Sequence, residues 1–202
     1  MKKLNLILAS ASPRRKELLG WLGVPVKVSP SGVEEITEHT IPSEVVADLA
    51  ALKGRDIKVR EANEDSFIVA SDTIVVIDDE ILGKPKDRAH AREMLLKLSG
   101  RKHEVYTAVY MGLGAAEKTF VICSEVTFTK ISDEIMDLYL EGDEALDKAG
   151  AYGIQGQGLL FVEKLTGSYS NVVGFPLSDF IREMKSFLAE NGYNSSDWRS
   201  LF

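Results

Sequence analysis

The sequence predicts an α/β fold in which helices flank a mixed β-sheet, and three observations support this class. The chain opens with a short apolar run over residues 4–9, and a helix start at Ser12 and Pro13 follows it directly. Apolar runs of strand length then alternate with stretches of helical periodicity. Residues 104–130 instead read as consecutive, hairpin-like strands. Strands and helices that are interspersed in this way favour a mixed sheet over a purely parallel one.

Capping and turn residues divide the first third of the chain into elements. Ser12 is a good helix N-cap, and Pro13 suits the first helical position because an N–H there would have no intrahelical acceptor. Gly23 and Pro25 end this helix near Leu22. In chain order we expect a strand over 4–9, a helix over 13–22, a strand over 24–28 and a helix over about 42–59.

The segment SFIVASDTIVVIDDEIL, residues 66–82, predicts a hairpin with a break in its first arm. We expect a strand, an interruption around Asp72, a second strand, a turn at Asp78-Asp79 and a short return strand. The loop GKPKDR follows, and Asp87 in it caps a helix that ends at Gly100.

The second half of the chain continues the alternation. Two strands within 104–130 are joined near Gly114, and Ser132 caps a helix that runs to about Leu140. The stretch DKAGAYGIQGQG is a glycine-dense loop, LLFVEKLTGSY a strand and turn, and residues 177–190 form the last helix. The tail NGYNSSDWRSLF has no periodicity and predicts a frayed end.

Composition bounds the class of protein. The 202 residues suffice for one domain or two small lobes, and a net charge of −7 argues against broad binding to nucleic acid or to anionic membranes. Cys123 is the only cysteine, so no intrachain disulfide can form and a reducing compartment is expected. In its apolar strand Cys123 is expected to be inert packing. No apolar run reaches the length of a membrane span, so we expect a cytoplasmic protein without membrane partners.

The stretch SASPRR, residues 10–15, has the features of an anion site. A strand-to-helix loop exposes backbone N–H groups at the positive end of the helix dipole, where Arg14 and Arg15 would otherwise be unfavourable. Two guanidinium groups strengthen such a site for phosphate. The alternative is that both arginines pair with surface carboxylates.

Four further charged residues have both a structural and a chemical interpretation. Asp72 lies between apolar runs, so it either satisfies a local turn or meets a metal ion or a cation. Lys53 lies on an apolar helical stripe and either extends its ammonium to solvent or enters a site. Lys84 could be an exposed loop cation, and Glu35 part of an exposed acidic turn. Together these residues match what phosphoryl transfer needs: cations, carboxylates for a divalent metal ion and a group that activates water.

The ordered motifs identify the chain by resemblance as a member of the Maf nucleotide pyrophosphatases. The motifs are LASASPRRKELL, GVEE, LAALKG, ASDTIVVIDDEILGKP, LSGRKHEVYTAV, DKAGAYGIQGQG and GSYSNVVGFPL, and they span about residues 4–187. The resemblance implies an elongated, two-lobed fold with a deep cleft, similar to the inosine triphosphate pyrophosphatases, and a homodimer. It also implies hydrolysis of a nucleoside triphosphate with Mg²⁺ or Mn²⁺.

The resemblance also assigns roles by motif. Asp72 matches the proton acceptor, and Glu35 with Asp72 the metal ligands. The positions matched to substrate choice are Arg14, Thr73 and Gln155. Those matched to the remaining phosphate contacts are Ser10, Arg15, Lys53 and Lys84. Of these, the two lysines are counted as catalytic together with Asp72. The form GIQG resembles the branch that acts on dTTP and UTP. Gly54 departs from the family, which usually has alanine there, and we expect it to loosen its helix by about 1 kcal/mol.

Two other functions stay open from the sequence. One is a nucleotide-binding regulator of septum formation or cell division without turnover. The other is a metal-dependent nucleotidyltransferase, which would need similar phosphate contacts and a second substrate. The set Lys53, Asp72 and Lys84 favours an enzyme, and the absence of an evident acceptor module in the sequence favours hydrolysis.

Overall fold

Strands and helices are interspersed along the chain in the computed structural model, which describes residues 3–61 and 63–202. The strands are β1 (Asn5–Leu8), β2 (Val26–Val28), β3 (Ser66–Ile77), β4 (Glu80–Leu82), β5 (Lys102–Leu113), β6 (Ala116–Phe128) and β7 (Val162–Thr166). The helices are α1 (Pro13–Gly20), α2 (Pro42–Glu61), α3 (Arg88–Leu98), α4 (Asp133–Leu140), α5 (Tyr169–Val173) and α6 (Leu177–Glu190). Short 3-10 helices cover Ala149–Ala151, Gln157–Phe161 and Ser195–Leu201.

The sheet is mixed, as predicted. Its strands are hydrogen-bonded in the order β2-β1-β3-β5-β6-β7, and β4 pairs with β3. Strand β1 runs parallel to both β2 and β3, with Leu6 opposite Val26 and Phe67. Strands β3 and β4 are antiparallel, as are β6 and β7. Parallel pairs joined by helices and antiparallel hairpins therefore coexist in one α/β sheet.

The chain divides into two compact units. Unit 1 combines the chain up to Asp72 with Thr107–Ile122 and Gly174–Phe202. Its core joins apolar side chains of β1, β3, α1, α2 and α6, all buried: Leu8, Leu19, Val46, Ile57, Phe67, Phe180 and Leu188. Helix α2 buries the stripe that the sequence predicts, so burial of that stripe positions Lys53 beside the sheet.

Unit 2 comprises Thr73–Tyr106 and Cys123–Val173. An aromatic cluster forms part of its core, with edge-to-face contacts between Phe128 and Tyr152 at 4.7 Å and between Tyr139 and Phe161 at 4.9 Å. His103 joins this cluster, and its Nε2 lies 2.8 Å from the Tyr152 hydroxyl. Asn171, which is fully buried, donates to the Val105 carbonyl and to Ser124 Oγ and so ties α5 to β5 and β6.

Local signals in the sequence predicted the helix caps correctly. The side chains of Ser12, Asp87 and Ser132 each accept a hydrogen bond from the backbone N–H of the residue three positions on. The turn at Asp78 and Asp79 is present, and both residues have positive φ, which aspartate tolerates better than most residues.

The predicted interruption of the first long strand is wrong. Strand β3 is continuous from Ser66 to Ile77, and Asp72 lies within it rather than in a local turn. The polar side chains of Ser71 and Asp72 find partners elsewhere in unit 1, at the Gly174 carbonyl and at Lys53. The backbone therefore keeps its strand conformation, because no local hydrogen bond has to satisfy these groups.

The predicted frayed tail is also wrong. Residues Ser195–Leu201 form a 3-10 helix, and Leu201 and Phe202 are buried. The Phe202 ring packs edge-on against Phe67 with centroids 5.6 Å apart, and the Leu201 carbonyl accepts from the Leu4 N–H. The aperiodic sequence did not predict this docking, because the buried side chains Leu201 and Phe202 are adjacent and do not form a periodic apolar stripe.

Two smaller expectations need revision. Cys123 is exposed on β6, so it is not a packing residue, although partial desolvation of the thiol raises its pKa. The segment expected as strand and turn begins with the 3-10 helix Gln157–Phe161, and only Val162–Thr166 is strand.

No helix within the described part of the chain has the length and apolar character that crossing a bilayer requires.

Candidate active site

Lys53 is the centre of a charged cluster in unit 1. Its Nζ lies 2.6 Å from Asp72 Oδ1 and 2.8 Å from Glu35 Oε2. The side chains of Lys53 and Asp72 are only 13% and 10% exposed, whereas that of Glu35 is 54% exposed. Lys53 therefore does not extend to solvent from its apolar stripe, and Asp72 is a buried carboxylate with a cationic partner.

Three different elements bring these charges together. Asp72 is held by β3, which is buried along most of its length. Lys53 projects from the middle of α2, and Glu35 lies in the irregular segment between β2 and α2. Because the carboxylate of Glu35 is half-exposed, the cluster has one buried and one open acidic side.

Arg15 belongs to the same unit and connects α1 to two loops. Its Nε donates to the Gly174 carbonyl at 3.0 Å, and its Nη1 donates to Ser10 Oγ at 3.3 Å. Ser10 is buried, and its Oγ also accepts from the Ser12 N–H at 3.2 Å. The stretch SASPRR thus folds into a compact loop that holds one guanidinium group firmly at the start of the helix.

The electrostatics of Arg15 tie it to the Lys53 cluster. Burial lowers the pKa of the Arg15 guanidinium, and the carboxylate of Asp72 offsets only part of this lowering. Arg14, half-buried beside it on the first turn of α1, lowers that pKa and Glu35 raises it. The carboxylates that act on Arg15 are therefore those of the site itself. The anion-site interpretation of Arg14 and Arg15 stays a prediction.

Ser71 and Gly174 belong to the site although the sequence did not single them out. Ser71 is fully buried, and its Oγ donates to the Gly174 carbonyl at 3.1 Å, the same oxygen that accepts from Arg15. This carbonyl therefore joins β3 to α1 next to Asp72. The position of Ser71 immediately before Asp72 is the only sequence signal that pointed to it.

The other predicted site residues lie in unit 2. Thr73 is half-buried on β3, Lys84 is exposed in the loop between β4 and α3, and Gln155 is exposed in the glycine-dense loop. Their roles, like their convergence on one substrate with the residues of unit 1, stay predictions.

The loop that carries Gln155 is built around Glu144. Glu144 Oε2 accepts from the Gln157 N–H at 2.9 Å. A Cβ on Gly156 would lie 2.1 Å from Glu144 Oε1, and one on Gly153 would lie 2.8 Å from the same atom. Glycine at these two positions lets the carboxylate lie against the loop backbone.

Glu35 and Asp72 are the residues that fit a divalent cation. One ammonium group contacts both carboxylates, so the two carboxylates are close enough together to share one cation. Within residues 3–61 and 63–202 there is no group of three or more histidine, cysteine, aspartate and glutamate side chains that would hold a metal ion. Mg²⁺ is commonly held by one or two protein carboxylates together with substrate phosphates and water. The donor set therefore fits a cation that arrives with a phosphate-bearing substrate.

Comparison with known proteins places these residues in a wider context. The family model described as Maf-like protein matches residues 5–187. The dTTP/UTP pyrophosphatase of Bacillus cytotoxicus is 48% identical over 188 residues, which cover 93% of this chain and 96% of that protein. The dTTP/UTP pyrophosphatase of Bacillus anthracis is 48% identical over 184 residues, which cover 91% of this chain and 95% of that protein.

Among solved structures, similarity is found to the nucleoside-triphosphatase / dITP/XTP pyrophosphatase of Mycobacterium abscessus. The TM-score is 0.47 at 14% identity, and the match covers 94% of this chain and 98% of that one.

Proposed function

The chain belongs to the Maf family, and from this premise we propose that it hydrolyses dTTP and UTP to the nucleoside monophosphate and pyrophosphate. The observation that carries the proposal is the bridge of Lys53 between Asp72 and Glu35, next to Arg15 and the SASPRR loop. The names of relatives that are 48% identical over nearly the whole chain support the choice of nucleotides.

The cationic groups would bind the triphosphate. Arg14 and Arg15 lie on the first turn of α1, where backbone N–H groups and the helix dipole also favour an anion. Guanidinium groups bind phosphate oxygens in pairs, and Ser10 holds Arg15 in place for this. Lys84 would add a further cation, which reduces repulsion between the phosphates and an incoming nucleophile.

Asp72 would orient and deprotonate the attacking water. The water oxygen bonds to the α-phosphorus, the bond from that phosphorus to the oxygen bridging to the β-phosphate breaks, and pyrophosphate leaves. The proton of the water passes to the Asp72 carboxylate. Lys53, 2.6 Å from Oδ1, fixes the orientation of this carboxylate and balances its charge.

We propose that Mg²⁺ or Mn²⁺ takes part, held by Glu35 and Asp72. Such a cation would neutralise charge on the phosphates. The half-exposed Glu35 carboxylate can turn toward an entering metal–nucleotide complex, while the buried Asp72 stays on β3. Lys53 would then keep the Asp72 carboxylate in place through its contact with Oδ1.

Substrate choice is proposed to depend on Arg14, Thr73 and Gln155. A glutamine amide both donates and accepts hydrogen bonds, which suits the imide edge of uracil or thymine. Gln155 is exposed on its loop, so its amide is accessible to a base.

A cytoplasmic homodimer is the form that the family resemblance predicts, and light scattering would test the dimer.

A panel of nucleoside triphosphates, assayed for pyrophosphate release with Mg²⁺ and with Mn²⁺, tests the function. We expect turnover of dTTP and UTP, little turnover of ATP and GTP, and none after chelation of the metal. Asp72→Asn should lower kcat by at least about 100-fold while retaining nucleotide binding. Binding without pyrophosphate release by the unmodified protein would instead support the nucleotide-binding regulator.

A further inference from the structure

Helix α2 contains a buried glycine immediately after Lys53. Glycine inside a helix is destabilising relative to alanine, because its backbone loses more freedom on folding. A Cβ at Gly54 would lie 2.0 Å from Cδ1 and 2.3 Å from Cε1 of Tyr110. The Tyr110 ring therefore lies directly against the helix backbone, in space that any side chain at position 54 would need.

The Tyr110 ring is itself held on both sides. It is fully buried on β5. A Cβ on Gly112, two residues along the same strand, would lie 2.7 Å from the Tyr110 hydroxyl oxygen. Burial raises the pKa of this hydroxyl and the nearby Glu117 carboxylate raises it further, so the ring remains neutral. The ring thus acts as a rigid spacer between strand and helix.

Glu117 on β6 ties the same part of α2 by charge. Its carboxylate accepts from Arg55 Nε at 3.0 Å and from Lys58 Nζ at 2.8 Å. Burial raises the pKa of Glu117, but the hydrogen bonds from Lys58 and Arg55 outweigh this and lower it to about 2. The carboxylate is therefore ionised at neutral pH and holds the helix one residue and one turn beyond Gly54.

We propose that Tyr110 is a positioning residue for Lys53, with Glu117 as a second tie. The proposal rests on the proposed function and names a determinant of its rate. The ring sets how closely α2 approaches the sheet at Gly54, and Glu117 sets the rotation of the helix at Arg55 and Lys58. Displacement of α2 by the width of a methyl group would stretch the contacts of Lys53, now 2.6 and 2.8 Å, beyond hydrogen-bonding distance.

A two-by-two set of variants tests this coupling: Gly54→Ala and Tyr110→Val, each alone and combined. In the unmodified background Gly54→Ala should lower kcat for UTP at least about 10-fold, with KM changed less than 3-fold, because misplacement of one catalytic group acts mainly on the chemical step. In the Tyr110→Val background the same substitution should be neutral or should raise kcat, because the methyl group then has room. An equal loss in both backgrounds overturns the proposal.

A second readout follows Lys53 without using turnover. Competitive acetylation with mass spectrometry reports how readily each lysine amine reacts. We expect Lys53 to react at least about 5-fold faster in Gly54→Ala, because an amine without its carboxylate partners is more accessible. Tyr110→Phe should keep both kcat and the acetylation rate, since the ring is retained. Unchanged Lys53 acetylation in Gly54→Ala overturns the proposal.

The control for general destabilisation is Phe202→Ala, which removes a buried ring of unit 1 that packs on Phe67 of β3. Phe202→Ala and Gly54→Ala are compared at urea concentrations that leave equal fractions of the two variants folded. Under these conditions Lys53 should still be acetylated slowly in Phe202→Ala. Fast acetylation in this control overturns a specific role for Tyr110. If Gly54→Ala does not fold, Tyr110→Val alone decides, and an unchanged kcat overturns the proposal. Lack of turnover in the unmodified protein contradicts the proposed function, whereas the acetylation result still tests the positioning.

Discussion

Lys53 meets Asp72 at 2.6 Å although the two residues are 19 positions apart and lie on different elements. The pair is largely shielded from solvent, so its charges interact more strongly than those of a surface pair. A buried pair is costly to break because the remaining charge is left without compensation. This relationship links the stability of unit 1 to the chemistry proposed for it.

Replacement of Lys53 by methionine is expected to cost both stability and activity. It leaves Asp72 buried without a cation, which should lower the free energy of unfolding by about 3 kcal/mol and kcat by at least about 100-fold. Lys53→Arg keeps the charge and should recover part of the stability. Urea titrations and pyrophosphate release measure the two effects.

The matched control is Lys27→Met, which removes a lysine that also pairs with a glutamate at 2.8 Å. The Lys27 side chain is 63% exposed, so its loss should cost less than about 1 kcal/mol and leave kcat unchanged. Equal losses from the two substitutions would show that the Lys53 cluster has no special role.

The docked tail is expected to contribute measurably to unit 1. Phe202→Ala removes a ring that packs on Phe67 and should lower the free energy of unfolding by about 3 kcal/mol. Arg199→Ala, at an exposed position of the same 3-10 helix, should change it by less than about 0.5 kcal/mol. Chemical denaturation of both variants tests this, and equal small effects would mean that the tail is not held by its buried ring.

Features set by neighbours in the chain could be predicted from the sequence. The caps at Ser12, Asp87 and Ser132 depend on a side chain and an N–H three residues away, so short motifs suffice. The last helix has the predicted bounds Leu177–Glu190 for the same reason, since its apolar periodicity is local.

Features set by distant partners could not be predicted. The candidate residues were named individually, but only folding shows that Lys53 lies between Glu35 and Asp72 rather than in solvent. Gly54 reads as a weakness of α2 until Tyr110, from a strand far along the chain, is seen to occupy the space of its side chain. Close packing between elements leaves no periodicity in the sequence.

His103 should make unit 2 sensitive to acid. Burial lowers the pKa of its imidazole to about 4, whereas the unfolded chain has the ordinary value of about 6.5. Above pH 6.5 both states are neutral and His103 adds no pH dependence. As pH falls from 6.5 to 4 the unfolded state gains the proton first, so folding loses up to about 3 kcal/mol. His103→Gln should be less stable at pH 8 but should lose less stability between pH 6.5 and 4.5. Parallel slopes for both proteins would contradict the assignment.

The loop around Glu144 should control substrate choice more than overall binding. Gly156→Ala would force the Glu144 carboxylate away from the loop, because its Cβ would lie 2.1 Å from Oε1. The hydrogen bond to the Gln157 N–H should then break, with faster hydrogen exchange at that amide. Because Gln155 lies on the same loop, we expect the ratio of kcat/KM for UTP over that for GTP to fall by at least about 10-fold. Adding Glu144→Ala removes the clash but does not restore an acceptor for the Gln157 N–H. The double variant should therefore relieve the strain without restoring slow exchange at Gln157. A selectivity ratio that stays constant while exchange accelerates would separate this loop from recognition of the base.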